Sequence, residues 1–185
     1  MRDIRRPTLI KASGRAGPTI LAQTQLKAAT TATLAGLDGN AADFWRLIVD
    51  VTLFNASADT LWLIRFNNDS GNNYQGGQFG MAYTSSGNAI ENARFTPASA
   101  VNVRGGGWSS PAQFLTEFLI SPASGKYRGL NYRHTWRRTN AADYGLTYFG
   151  GWWWRNSSDK ITTINFDFQS VQTTGRIWLL GIQAR

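Results

Sequence analysis

The side chains that could do covalent or metal chemistry are few in this chain of 185 residues. It has one histidine, His134, and no cysteine, so thiolate and histidine-rich metal sites are excluded. The aspartates Asp143, Asp159 and Asp167 could form a carboxylate pair, but their sequence contexts are typical of turns and of the outer face of a strand. The sequence has no nucleophile elbow and no phosphate-binding glycine loop. It therefore predicts a non-enzymatic protein without a cofactor or a bound metal.

The stretch LIRFNNDSGNNYQGGQ, which begins at Leu63, has the oxygen-bearing side chains that a metal loop would need. It holds a single carboxylate, Asp69, and the residues around it do not match the spacing of a calcium loop. Asn, Asp and Gly are also the residues that turns use, and Gly71 is free to take a positive φ. We therefore interpret this block as a turn that links a strand ending at Phe66 to a strand near Phe79.

The run GGWWWRNSSD is the strongest candidate for recognition. Tryptophan rings stack on sugars and bases and are enriched at the centres of protein interfaces. Successive residues of a strand point to opposite faces, so Trp152, Trp153 and Trp154 cannot all face one core. At least one ring must point away from the core, where another subunit, a loop of the same chain or a glycan could cover it.

The run YRHTWRR predicts a strand with two different faces. His134 shares one face with Tyr132 and Trp136, which predicts a packed or interface histidine. Arg133 and Arg137 share the opposite face. That face could be solvated, meet acidic groups of a neighbouring subunit or bind an anionic glycan.

The net charge of +8 and the isoelectric point near 10.3 raise the question of a nucleic-acid partner. The positive charge is dispersed, however, and five of the nineteen lysines and arginines lie in a predicted extended N-terminal arm, residues 1–18. The five basic residues of this arm are Arg2, Arg5, Arg6, Lys11 and Arg15. Such an arm can bind phosphate or dock on an acidic protein surface, and we favour docking on a protein.

Two further classes of protein do not fit the hydrophobic pattern. No apolar stretch approaches the ~20 residues that span a bilayer, which predicts a protein without a membrane partner. The N-terminal run MRDIRRPTLIKASG has basic residues but no apolar region after them. We therefore expect a soluble protein that no signal peptide directs to secretion.

The elements that must position these residues are predicted to be β-strands, because apolar residues recur with a period of two. A single short helical turn is expected at 110–114, and the long connection from 83 to 114 is expected to cross between sheets. This pattern predicts one domain, 19–185, that is all-β, a jelly-roll-like antiparallel β-sandwich. Its eight or nine strands are expected at 19–26, 44–53, 61–66, 79–84, 114–120, 127–137, 144–154, 161–168 and 177–182.

Three stretches resemble bacteriophage virion structural proteins of the jelly-roll type. In LIRFNNDSGNNY, an arginine-bearing strand leads into a motif whose corresponding residues are Asn67, Asp69, Gly71 and Tyr74. The C-terminal DKITTINFDFQSVQTTGRIWLLGI looks like the closing hairpin of those proteins, and ATLAGLDGNAADFWRLIVDVTL is similar to the turn that opens their first long strand. The matching C-terminal positions are Ile161, Thr162, Ile164, Gly175, Ile177, Leu179 and Gly181. Trp178 is larger than the usual residue before the last leucine, which would mark a subunit contact.

The resemblance implies a structural component of a virion, either a surface-exposed tail or fibre protein or a capsid-decoration protein. It implies capsid, connector or tail proteins as partners and a homo-oligomer, with a trimer favoured. The alternative is a receptor-binding module that recognises a host-surface glycan through exposed tryptophan and tyrosine. The candidate contacts for assembly or glycan binding are Trp152, Trp153, Trp154, Arg133, Arg137 and Trp178.

Overall fold

The regular structure of this protein consists of β-strands. The computed structural model describes residues 17–54, 61–84, 87–104, 111–125, 128–138 and 145–183, and these ranges contain no helix. The strands are β1 (Thr19–Ala29), β2 (Thr31–Leu34), β3 (Phe44–Phe54), β4 (Leu61–Phe66), β5 (Tyr74–Thr84), β6 (Gly87–Ala98), β7 (Val101–Arg104), β8 (Ala112–Ile120), β9 (Arg128–Arg138), β10 (Gly145–Trp154), β11 (Ile164–Asp167) and β12 (Gln172–Ile182). The predicted all-β class is confirmed.

Two antiparallel sheets form a sandwich. The large sheet has the order β1-β12-β3-β8-β9-β10-β5-β6, and the small sheet has the order β2-β11-β4-β7. In an eight-strand jelly roll, the first, eighth, third and sixth strands share one sheet, and the second, seventh, fourth and fifth share the other. The order here is consistent with that scheme: β1, β12, β3 and β8 take the first, eighth, third and sixth places, and β2, β11, β4 and β7 take the second, seventh, fourth and fifth. The remaining strands, β9, β10, β5 and β6, extend the large sheet beyond β8.

The core lies between the two sheets and is built from one face of each strand. On β3, Trp45, Leu47 and Val49 are buried, while the intervening residues are half-buried or exposed, as the alternation predicts. Trp62 of β4 packs edge-on against Phe118 of β8, with ring centroids 6.1 Å apart. Aromatic contacts of this kind join the small sheet to the middle of the large sheet.

Aromatic rings cover glycines on the inner face of the large sheet. Tyr148 lies opposite Gly80 in the register of β10 and β5, and a Cβ added at Gly80 would overlap the tyrosine ring. Tyr132 covers Gly150 in the same way, and Trp152 covers Gly76. Glycine in a strand often marks such a close approach. These rings lie flat on the sheet because the neighbouring strand presents no side chain there.

The connection from 83 to 114 crosses between the two sheets as expected, but it also contains two strands that the sequence did not predict. The connection contains β6, which pairs with β5, and β7, which pairs with β4 of the small sheet. The expected short helical turn at 110–114 is also wrong over residues 111–114, the part of it that the structure describes, because β8 begins at Ala112. Strand pairing supplies the backbone hydrogen bonds of these segments although their own apolar pattern is weak.

The expected closing hairpin is wrong as well. β11 pairs with β2 and β4 in the small sheet, whereas β12 pairs with β1 and β3 in the large sheet. The two strands face each other across the core, where Ile164 and Leu179 are both buried. The turn between them, with positive φ at Gln169 and Ser170, therefore carries the chain from one sheet to the other.

Candidate functional site

A group of exposed apolar side chains lies on the outer face of the large sheet, the face that points away from the small sheet. In the register of the strands, Phe149 lies opposite Phe79, and Met81 lies opposite Ile90. These four residues, which we call the aromatic patch, have exposed fractions between 39% and 72%. Directly opposed side chains on one face of a sheet are in contact range, so the patch is continuous over β10, β5 and β6.

Charged and aliphatic side chains border the aromatic patch. The guanidinium carbon of Arg133 lies 6.0 Å from the ring centroid of Phe149, a cation–π arrangement. Arg133 is opposite Glu117 on β8, and Glu117 forms an ion pair with Arg46. Leu115 on β8 is exposed on the same face. An apolar centre with a polar border is typical of a protein interface.

The three consecutive tryptophans have different roles. Trp152 and Trp154 are buried in the core, so two of the expected contact residues are structural. Trp153 is 54% exposed on the outer face of β10. It lies opposite Gly129 of β9, where an added Cβ would meet no atom within 4 Å. Trp153 is four positions after Phe149 on the strand, a distance of about 13 Å. Trp153 therefore stands apart from the aromatic patch.

The indole of Trp154 anchors the loop between β4 and β5. Its Nε1 donates a hydrogen bond of 2.6 Å to Asp69 Oδ2, and the same carboxylate accepts bonds from the Asn73 amide and the Gly71 backbone N–H. Partial burial would raise the pKa of Asp69, but these hydrogen bonds hold it below its ordinary value. Asp69 is therefore an internal acceptor that fixes the loop.

The interpretation of the Asn-rich and Gly-rich stretch after Phe66 as a turn agrees with the structure, but the expected positive φ at Gly71 does not. The residues with positive φ are Asn67 and Asn68, not Gly71. The side-chain oxygen of Asn67 accepts hydrogen bonds from the backbone N–H groups of Thr162 and Thr163. Asparagine tolerates the left-handed region because its side chain can form such bonds. The loop carries the chain from the small sheet to the large sheet.

Arg128 is a buried cation that the sequence interpretation missed. Its guanidinium carbon lies 5.0 Å from the ring centroid of Trp154, and its Nη2 donates a hydrogen bond to the backbone carbonyl of Asp159. Desolvation by burial lowers the pKa of Arg128. The sequence signal that could have identified Arg128 as buried is its position on β9, on the same face as Tyr132. The contacts assign it to holding the loop at 156–160 over the core.

His134 lies on the predicted packed face and is buried. Its Nδ1 is 2.6 Å from the Thr116 hydroxyl oxygen, and its ring stacks on Phe114 with centroids 5.4 Å apart. Arg137 lies on β9, but its side chain lies outside the described residues. The five basic residues of the arm, Arg2, Arg5, Arg6, Lys11 and Arg15, lie outside them too.

Trp178 is half-buried on β12 and lines a groove at the opposite end of the large sheet from the aromatic patch. The groove, which we call the β1–β12 groove, has a volume of about 440 Å³ and is lined by Gln23, Thr24, Gln25, Arg176 and Trp178. The sequence interpretation named only the tryptophan. The polar residues were missed because the groove forms only when the distant N- and C-terminal strands pair.

Comparison with known proteins adds no family to this description. No protein-family model, curated protein or solved structure matches this chain. Within the described ranges, no helix is long and apolar enough to cross a membrane, and no three His, Cys, Asp or Glu side chains gather as a metal site. The aromatic patch, Trp153 and the β1–β12 groove are the features on which a function can be argued.

Proposed function

We propose that this protein is a non-enzymatic structural component of a phage virion, a tail, fibre or capsid-decoration protein that acts by protein–protein assembly. The observation that carries the assembly function is the aromatic patch. Exposed apolar patches of this kind on a β-sandwich favour binding to another protein surface. The virion assignment is supported by the three sequence stretches that resemble phage proteins.

The size of the apolar surface supports a stable contact. The exposed fractions of Phe79, Met81, Ile90 and Phe149 correspond to about 400 Å² of side-chain surface, and Leu115 and Leu119 bring this to about 550 Å². One partner of a standard interface buries about 800 Å², of which slightly more than half is apolar. The outer face therefore offers about as much apolar surface as one partner needs.

The occupant that we propose for the aromatic patch is a second copy of this chain. Closed symmetric homo-oligomers are the commonest assemblies of soluble proteins, and self-association needs no surface beyond those that each copy already carries. A trimer is the favoured state. In this proposal the basic arm, residues 1–18, remains available to dock on a capsid, connector or tail protein.

Light scattering on two variants tests the self-association. The wild-type protein should have a mass of about three times 20.5 kDa at micromolar concentration. The double variant Phe79→Ser/Phe149→Ser should be a folded monomer that still unfolds cooperatively, since both side chains are about half exposed; its melting temperature should no longer depend on protein concentration. The control Ile20→Ser/Phe54→Ser removes two exposed apolar residues outside the patch and should stay oligomeric. A wild-type monomer, or an oligomeric patch variant, would contradict the proposal.

The location on a particle needs a separate measurement. A cryo-EM map of the virion should contain density that fits the two-sheet sandwich. A map in which every density is assigned to other proteins would refute the virion assignment while leaving the light-scattering result intact.

A second candidate function is recognition of a host-surface glycan. The observation that favours it is Trp153, which is exposed on the outer face of β10 and lies opposite Gly129, a residue without a side chain. A glycan array should then show binding that Trp153→Ala abolishes while the oligomer stays intact. Unchanged binding by that variant would exclude Trp153 as the contact.

A further inference from the structure

The β1–β12 groove differs in chemistry from the aromatic patch. Sites for apolar ligands are lined mainly by hydrophobic side chains. Of the five residues in the described part of the chain that line this groove, four are polar: Gln23, Thr24, Gln25 and Arg176. Trp178 is the one large apolar side chain among them. Amide, hydroxyl and guanidinium groups around a tryptophan suit a ligand with many hydroxyl groups and an apolar ring face, which is the chemistry of a carbohydrate.

The guanidinium of Arg176 is held in place from one side. Its Nε donates a hydrogen bond of 2.7 Å to Gln25 Oε1, and Gln25 Nε2 donates a bond of 2.8 Å to the Gly175 carbonyl. Gly175 is itself fixed, since its φ is +147° and a Cβ there would overlap the backbone of Asp50. The two terminal nitrogens of Arg176 are left as a fork, the arrangement that binds a carboxylate bidentately.

No acidic side chain in the described ranges forms an ion pair with this arginine. Asp50 lies opposite Arg176 on β3, but the two side chains form no ion pair. The net charge of +8 also favours an anionic ligand. A volume of about 440 Å³ lies within the range of small-molecule sites.

We propose that the β1–β12 groove binds an acidic carbohydrate. The fork of Arg176 takes the sugar carboxylate, Gln23 and Thr24 bind hydroxyl groups, and Trp178 contacts the apolar face of the ring. This inference rests on the second candidate function, glycan recognition, and assigns the contact to the groove instead of Trp153. The groove is four strand positions from β10, about 19 Å, so it does not depend on the aromatic patch.

Calorimetry with matched oligosaccharides tests the proposal. The probes are sialyllactose against lactose, and trigalacturonate against its methyl ester, which removes the charge but keeps the hydroxyl groups. The wild-type protein should bind at least one acidic probe and should bind its neutral partner at least about tenfold more weakly, the effect expected from one charge-assisted hydrogen bond.

Three variants locate the site. Arg176→Gln and Gln23→Ala should each weaken binding of the acidic probe, the first by about tenfold or more. Both side chains are exposed, so the melting temperature should not change. The control Arg155→Gln removes the same charge from an exposed position elsewhere and should bind as the wild type does.

The possible outcomes distinguish a failure of the groove assignment from a failure of glycan recognition. If no acidic or neutral probe binds, glycan recognition and the groove assignment both fail. If binding is lost in Trp153→Ala but kept in Arg176→Gln, glycan recognition stands and the groove assignment is overturned. Equal binding of trigalacturonate and its methyl ester would overturn the role of Arg176.

Discussion

Replacing Asp69 by Ala should destabilise the fold through the indole of Trp154. The substitution removes the acceptor of the 2.6 Å bond from Trp154 Nε1 and leaves that buried donor without a partner. An unsatisfied buried donor costs about 1–3 kcal/mol, and bonds to a charged acceptor lie in the upper part of that range. We expect a loss of about 2–3 kcal/mol in the free energy of unfolding, measured by urea denaturation. For a domain of this size, this lowers the melting temperature by roughly 4–12 °C.

A double-mutant cycle and a pH series test the cause. In the Trp154→Phe background, which has no indole donor, Asp69→Ala should cost clearly less. Because the folded-state pKa of Asp69 is lowered, its contribution is present above the unfolded pKa and is lost as the pH falls through the folded pKa. The difference between wild type and Asp69→Ala should therefore shrink in acid. Equal costs in both backgrounds would refute the role of the indole. The control is Asp50→Ala, since Asp50 is exposed and forms no ion pair with Arg176, the residue opposite it.

Three more predictions concern the core, the buried cation and the arm. Leu179→Ala should lower the free energy of unfolding by about 2–5 kcal/mol in chemical denaturation, because Leu179 is buried. Leu180→Ala, on the half-buried side of β12, should lower it less, and the reverse order would mean that the two faces of β12 are exchanged. Arg128→Met should be more stable than Arg128→Ala in thermal melts, since methionine keeps packing contact with Trp154 that alanine removes, and the opposite ranking would refute that packing role. Deleting residues 1–18 should leave the melting temperature unchanged and prevent incorporation into particles, while a large drop would place the arm in the core.

The period-two pattern was sufficient to predict the class of the fold. On β9 the apolar residues alternate strictly, and on β3 every residue of one face from Trp45 to Leu53 is apolar, so both the strand and its buried face follow from the sequence. Alternation specifies which face of a strand is buried but not which sheet the strand joins. This is why β11 and β12 were predicted as a hairpin although they lie in opposite sheets. β6 was missed because it is an edge strand, and its pairing with β5 outweighs its weak apolar pattern.

The candidate surfaces were predicted less completely than the fold. The alternation rule correctly required one of the three tryptophans to point away from the core, but the rule could not identify Trp153. The aromatic patch combines residues of β10, β5 and β6. The groove combines residues of β1 and β12, which are neighbours in the large sheet but lie at opposite ends of the sequence. Such sets depend on strand order and register, which single-strand patterns do not contain.

Each aromatic ring that lies on a glycine couples two positions, so that a change of residue size at one position requires a change at the other. Tyr148 occupies the space above Gly80, so a larger residue at 80 is compatible with the fold only if the residue at 148 becomes smaller. Among related sequences, we expect these two positions to covary, with a glycine always opposite the ring. In protein engineering, the exchange Gly80→Tyr/Tyr148→Gly would conserve the volume of the core while moving the ring to the neighbouring strand.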